Sequence, residues 1–194
     1  MNLRQKNLCR IALTLLLSAI ILLIHCNEDP QEIFIDASKF DSEISTAAAK
    51  YSLPPALVKA LVRRESKFDP DAVGSKGEIG LMQLLPAGAV AEWARVNKCR
   101  PPSRSELFSP EVNLNIGCWY LARAMRRWHR YRCCTEMALA QYNAGEKNVL
   151  RWKPENFDGD FVSRIKWRGT RSYVRNIMYH FRKDSASSLA IEKK

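Results

Sequence analysis

Residues 109–128 constrain the fold more than any other stretch of the chain. Ser109-Pro110-Glu111 starts a helix, with a serine at the capping position, a proline in the first turn where no N–H is missed, and an acid at the positive end of the dipole. From there Leu114, Gly117, Cys118, Leu121, Ala124, Met125 and Trp128 recur on one stripe at helical spacing, and Val112, Ile116 and Tyr120 widen it. So broad an apolar surface must be covered, which places this helix at the centre of a domain. On that ground Trp119 and Trp128 are expected in the core and Cys118 as a packed thiol.

The remaining segments supply its neighbours. Alanine-rich Ser42–Tyr51 reads as a helix ended before Pro54, and Pro54-Pro55 opens the next helix, which reaches Glu65. Lys67 to Ile79 is loop, broken by Asp69-Pro70-Asp71, Gly74 and Gly77, and Lys98 to Phe108 is a second loop. Further helices are predicted from about Pro86 to Val96, from Thr135 to Asn143 with Gly145 as its cap, from Glu146 to Trp152 and from Ser172 to Arg182. No run alternates as a half-buried strand does, and neither a repeat nor a heptad pattern is present. The fold class is all-α.

One residue breaks the pattern. Val58, Leu61 and Val62 mark the buried face of the second helix, and the next position on that face is Glu65. A carboxylate there continues an apolar stripe and lies near the negative end of the helix dipole, so both burial and the dipole favour its protonated form. An ordinary glutamate near 4.3 is only about 0.2 % protonated at pH 7, whereas one lifted to roughly 6 is about a tenth protonated, which suits a general acid. A surface glutamate paired with Arg63, Arg64 or Lys67 is the competing reading of this stripe taken alone.

Other residues fall in a specific order around it: Glu65-Ser66, Gly80-Leu81-Met82-Gln83 with Pro86, Gln141-Tyr142-Asn143-Ala144-Gly145, and Thr170-Arg171-Ser172-Tyr173-Val174. In these motifs the chain resembles the soluble (SLT-type) lytic transglycosylases, a family with a goose-lysozyme-like fold that cleaves bacterial peptidoglycan. The resemblance covers roughly residues 42–182. It implies a lysozyme-like (goose-type) helical domain with a deep substrate cleft. It also implies cleavage of the β-1,4 bond between N-acetylmuramic acid and N-acetylglucosamine, with closure of a 1,6-anhydro ring and no cofactor. Glu65 aligns with the family's single catalytic acid and base, and Ser66, Gly80, Met82, Gln83, Tyr142, Asn143 and Tyr173 align with its substrate-binding residues. Glycine lets backbone approach a ligand and the Gln83 amide offers a donor and an acceptor to an N-acetyl group, while the tyrosine of the Gln141–Gly145 motif points toward the glutamate in relatives. The chain departs from the family at Gly74, where serine is usual, at Glu78, where alanine is common, and at Gly169, where a glutamate is usual. Glu78 is therefore the candidate for a second carboxylate should water be the nucleophile.

The ends and the charge complete the reading. Arg4, Lys6 and Arg10 precede the uncharged run Ile11–Ile24, the layout of an export signal, so residues 1–26 are expected to be a signal peptide or membrane anchor, 27–41 a linker, 42–183 the catalytic domain and 184–194 a flexible tail. The expected location is the cell envelope or periplasm, with the N-terminal segment in the membrane. A net charge of +11 points to anionic surroundings, for which the cell wall suffices; Arg123, Arg126, Arg127, Arg130 and Arg132 read as a solvated helix face rather than a nucleic-acid surface. His25, His129 and His180 lack metal-ligand spacing. Of Cys99, Cys118, Cys133 and Cys134, at most one bridge is expected, from Cys99 to one of the adjacent pair. The expected partners are peptidoglycan glycan strands and other envelope-assembly components, with the chain itself a monomer. A goose-type muramidase that uses water, and a non-catalytic peptidoglycan-binding scaffold, are the alternatives.

Overall fold

A computed structural model describes residues 36–191; the segment expected to be an export signal or anchor, 1–26, and the expected linker up to residue 35 lie outside them. Its helices are α1 (Asp41–Lys50), α2 (Pro55–Ser66), α3 (Ala91–Asn97), α4 (Pro110–Trp128), α5 (Cys134–Ala144), α6 (Glu146–Trp152) and α7 (Arg168–Ile191). Among the described residues there is no strand, only the isolated bridges Val73–Ile79 and Ile79–Leu84. No helix among them is long and apolar enough to cross a membrane.

The central position of α4 follows from its sequence. Leu114, Ile116, Cys118 and Leu121 are fully buried, and Trp119 and Trp128 nearly so. Helix α5 and helix α1 pack against it, α2 packs against α7, and α7 in turn packs against α5. Ser109 occupies the capping position with extended backbone, but its hydroxyl makes no capping bond, so the start of α4 rests on Pro110. The indole N–H of Trp128 donates to the buried Gln141 Oε1 at 2.7 Å, which satisfies a polar atom of α5 inside the core.

The segment between α2 and α3 folds back on itself and is clasped by one side chain of α4. Asn113, fully buried, accepts from the Met82 N–H at 2.8 Å and donates to the carbonyls of Ile79 at 2.9 Å and Leu107 at 2.8 Å. Two glycines make this clasp possible. Gly80 has φ +74 and lies so close to Asn113 that a Cβ would collide with its amide, and a Cβ on Gly117 would collide with the Met82 sulfur.

Several boundaries differ from the sequence reading. The helix expected from Pro86 to Val96 is two pieces, a wide turn over Pro86–Val90 kinked at Gly88 and then α3. The last helix begins at Arg168 and continues to Ile191, past Arg182, because residues 183–191 contain neither proline nor glycine to end it. Cys99, Cys118, Cys133 and Cys134 are all free thiols, so the expected bridge is absent; the Cys133 Sγ instead donates weakly to the Gly159 carbonyl at 3.6 Å. The five arginines of the 123–132 segment are exposed, with Arg123 paired to Glu92 and Arg127 to Glu146.

Asn113→Leu keeps the volume but strands the Met82 N–H and two carbonyls in the core. We expect a loss of about 2–4 kcal/mol, read as a lower midpoint in chemical denaturation, with the helical signal of the remaining native state retained.

Candidate active site

Glu65 stands in the last turn of α2, where Lys67 (φ 53) and Phe68 (φ 63) turn the backbone left-handed and stop the helix. Its side chain is half-buried, and Ser66 and Phe68, close by in the chain, are buried. Tyr173, buried on α7, donates its hydroxyl to Glu65 Oε1 in a short hydrogen bond. Burial lifts the Glu65 carboxyl from an ordinary value of 4.5 to about 7, against the opposing pull of the Tyr173 hydroxyl and of the Arg64 charge; the carboxylate of Glu78 adds to the rise. Burial and the neighbouring Glu65 charge also hold the Tyr173 phenol well above its ordinary value, so it is a proton donor at every working pH.

Glu65 opens into a cavity of about 630 Å³, lined by polar groups from several elements. The loop after α2 contributes Gly74, Lys76, Glu78 and Gln83, α4 contributes Tyr120, and α5 contributes Tyr142 and Asn143. Tyr120 and Tyr142 meet edge to face, 5.5 Å between centroids, and form an aromatic wall. Such a lining, aromatic surface beside amide and carboxyl groups, matches the mixed apolar and hydroxyl surface of a carbohydrate.

The residues expected at the site divide into two groups. Glu65, Gln83, Tyr142 and Asn143 reach the cavity, and Tyr173 reaches Glu65. Ser66, Gly80 and Met82 do not. Ser66 is buried and its hydroxyl bonds back to the Val62 carbonyl at 3.3 Å; Gly80 approaches Asn113 rather than a ligand; Met82 is fully buried in the notch above Gly117. The structure adds detail at these positions. Tyr142 shares the cavity with Glu65 and feels its charge while its hydroxyl donates to the Met82 carbonyl at 2.9 Å, and the hydrogen bond to the glutamate comes from Tyr173. The Gln83 NH₂ group is committed to the carbonyls of Ala72 at 3.1 Å and Gly80 at 3.0 Å, which leaves only its oxygen for a ligand.

Other participants escaped the sequence reading. Tyr120, which sequence spacing puts on the packing face of α4, walls the cavity. Thr170, buried, donates to Asn143 Oδ1 at 2.8 Å and so turns the Asn143 NH₂ outward. Its signal was its place beside Tyr173 in the last motif, three residues before that tyrosine and on the same helix face.

The position of Glu65 has a consequence for stability. The folded chain binds this proton more tightly (about 7) than the unfolded chain (near 4.5), so stability falls as pH rises between those values and is unpenalised below them. Glu65→Gln removes the penalty. By calorimetry the variant should be more stable than the parent at about pH 8, by up to roughly 3 kcal/mol, and match it near pH 4.

The fold and sequence are similar to those of known proteins. The model of the family described as "Transglycosylase SLT domain" matches residues 42–163. The soluble lytic murein transglycosylase of Escherichia coli (strain K12) is 31% identical over 130 residues, covering 65% of this chain and 20% of that protein. The membrane-bound lytic murein transglycosylase E of Buchnera aphidicola is 38% identical over 86 residues, 44% of this chain and 39% of that protein. The chain thus spans well under half the length of these curated relatives. An X-ray structure of an inactive mutant of lytic transglycosylase Slt from Pseudomonas aeruginosa superposes with a TM-score of 0.65 at 29% identity, over 74% of this chain and 23% of that one. The 70 kDa soluble lytic transglycosylase of Escherichia coli does so with a TM-score of 0.66 at 26% identity, over 74% and 24%. By its match over residues 42–163 and by its helical architecture, the chain belongs to the transglycosylase SLT domain family and carries its lysozyme-like fold.

Proposed function

We propose that the chain is a peptidoglycan lytic transglycosylase with Glu65 as its only acid and base. The observation that carries this reading is a carboxyl group held near 7 at the wall of a sugar-sized cavity, because such a group gives and takes a proton with nearly equal ease at neutral pH. In the first step Glu65 protonates the glycosidic oxygen between N-acetylmuramic acid and N-acetylglucosamine, and the C1–O bond breaks with that oxygen leaving as a hydroxyl. In the second, the C6 hydroxyl of the same muramic acid attacks C1 and returns its proton to Glu65, closing the 1,6-anhydro ring. Atoms balance without water. Tyr173 steadies one carboxyl oxygen through both steps, while the Gln83 oxygen and the Asn143 NH₂ are assigned to polar groups of the glycan and Tyr120 and Tyr142 to its apolar faces.

The names of the relatives favour this reaction over hydrolysis. Purified peptidoglycan digested with the chain should release anhydro-muropeptides on mass analysis. Reducing ends would mark a goose-type muramidase, and binding without cleavage a scaffold. Glu65→Gln should lower turnover by at least about 10²–10⁴-fold while glycan binding persists; near-parental release of anhydro-muropeptides by that variant overturns the assignment.

The reading extends to location. We place the chain in the cell envelope, retained by residues 1–26, in keeping with the charged start and apolar run of that segment and with the membrane-bound description of one relative. Fractionation of the host should recover full-length chain with membranes; soluble chain beginning near Asn27 would contradict retention.

A further inference from the structure

Gly74 poses a question that the family reaction does not answer. Its backbone lies outside the left-handed region, so conformation does not require a glycine there. Space does. A Cβ on residue 74 would collide with the Glu78 carboxylate and lie 2.8 Å from Gln83 Oε1. The absence of a side chain at Gly74 leaves the space in which the Glu78 carboxylate sits. The seat is built on all sides. The Lys76 N–H donates to Glu78 Oε2 at 2.9 Å, the Gly74 N–H donates to the Glu78 carbonyl at 2.9 Å, and Gln83 is pinned by its two carbonyl partners. The half-buried carboxylate lines the cavity that Glu65 lines.

We propose, on the basis of the transglycosylase reading above, that Glu78 is a second working carboxylate of this cavity, one that faces the positive charge developing on the muramic acid ring as the glycosidic bond breaks. Glycosidic cleavage passes through an oxocarbenium-like state, and an anion held in place beside the reacting ring lowers the energy of such a cation more than that of the neutral substrate. No proton is transferred to or from Glu78 and no bond to it forms. The same charge acts on Glu65 by repulsion and favours its protonated form. The other groups facing Glu65 or lining its cavity are Arg64 on its own helix, Lys76 on the loop, Tyr120 on α4, Tyr142 on α5 and Tyr173 on α7, of which the Tyr173 hydroxyl and the Arg64 charge oppose this effect.

The competing role for Glu78 is structural, as an acceptor that closes the Ser75–Gly77 turn, and Glu78→Gln separates the two, since glutamine keeps an acceptor for the Lys76 N–H and loses only the charge. With the full chain acting on purified peptidoglycan, Glu78→Gln is expected to lower kcat about 10- to 100-fold with KM nearly unchanged, to yield the same anhydro products, and to move the basic limb of the pH–rate profile to lower pH. Gly74→Ala, which displaces the carboxylate without removing it, should lower kcat as well, and should add nothing further in the Gly74→Ala/Glu78→Gln double variant. Circular dichroism confirms that each variant is folded. A Glu78→Gln enzyme with parental kcat and pH profile would overturn this proposal alone. Reducing ends made by the parent and lost in Glu78→Gln would overturn it in favour of a base for water, and a parent chain that cleaves nothing would overturn the transglycosylase reading and this one with it.

Discussion

The hydrogen bond from Tyr173 to Glu65 is the contact on which the rest of the molecule depends. Two effects of opposite sign meet there. Burial alone would leave the carboxyl protonated over a wide pH range, a competent acid with no tendency to take a proton back. A strong donor alone, on an exposed carboxylate, would hold it charged at neutral pH. Together they bring the group to about 7, and the balance requires that α2 and α7 stay in register with each other. That register comes from ordinary packing: Leu57, Leu61 and Val62 on α2, with Val174 and Ile177 on α7, are wholly buried.

The opposite wall is held by a different kind of bond. Asn113 ties the loop to the central helix through three hydrogen bonds, Gly117 opens a notch for Met82, and the Met82 carbonyl then receives Tyr142. The line of contact runs from the core of α4 to the cavity surface without an exposed link. Each bond is worth only about 1 kcal/mol net, but leaving any of these buried groups unpaired costs more. A wall built in this way keeps Gln83 and Tyr142 in place before any ligand arrives, which lowers the ordering cost of binding.

The sequence made legible those features whose cause is local. The apolar circumference of 109–128 is a property of consecutive residues, and so is the misplaced carboxylate at the end of α2; both appear in the structure as read. Gly80 and Met82 were read through the motif they belong to, and here side-chain type misled, because a glycine near a site can serve either a ligand or an asparagine from a distant helix. Asn113 lies 31 residues from Met82, and Thr170 lies 27 from Asn143, and no periodicity encodes pairings across such distances. The hydroxyl partner of Glu65 is harder still, 108 residues away. Gln83 shows the same limit at short range. Its capacity to donate is evident from its chemistry, but that its donors are already spent on Ala72 and Gly80 is a fact of the folded backbone.

Helix α7 gives this a further meaning. The family model matches residues 42–163, whereas the hydroxyl that grips Glu65 is carried on a helix that begins at Arg168. The portable unit of chemistry is therefore larger than the unit of recognition. A fragment cut at residue 163 and fused to another protein would carry the glutamate, the loop and the aromatic wall, and would still be counted as a family member. It would lack both the phenol and the helix that shields the acid from water. In gene fusions and truncations of such domains, the presence of the first three motifs is thus a poor guide to competence, and the helix that carries the fourth is a better one.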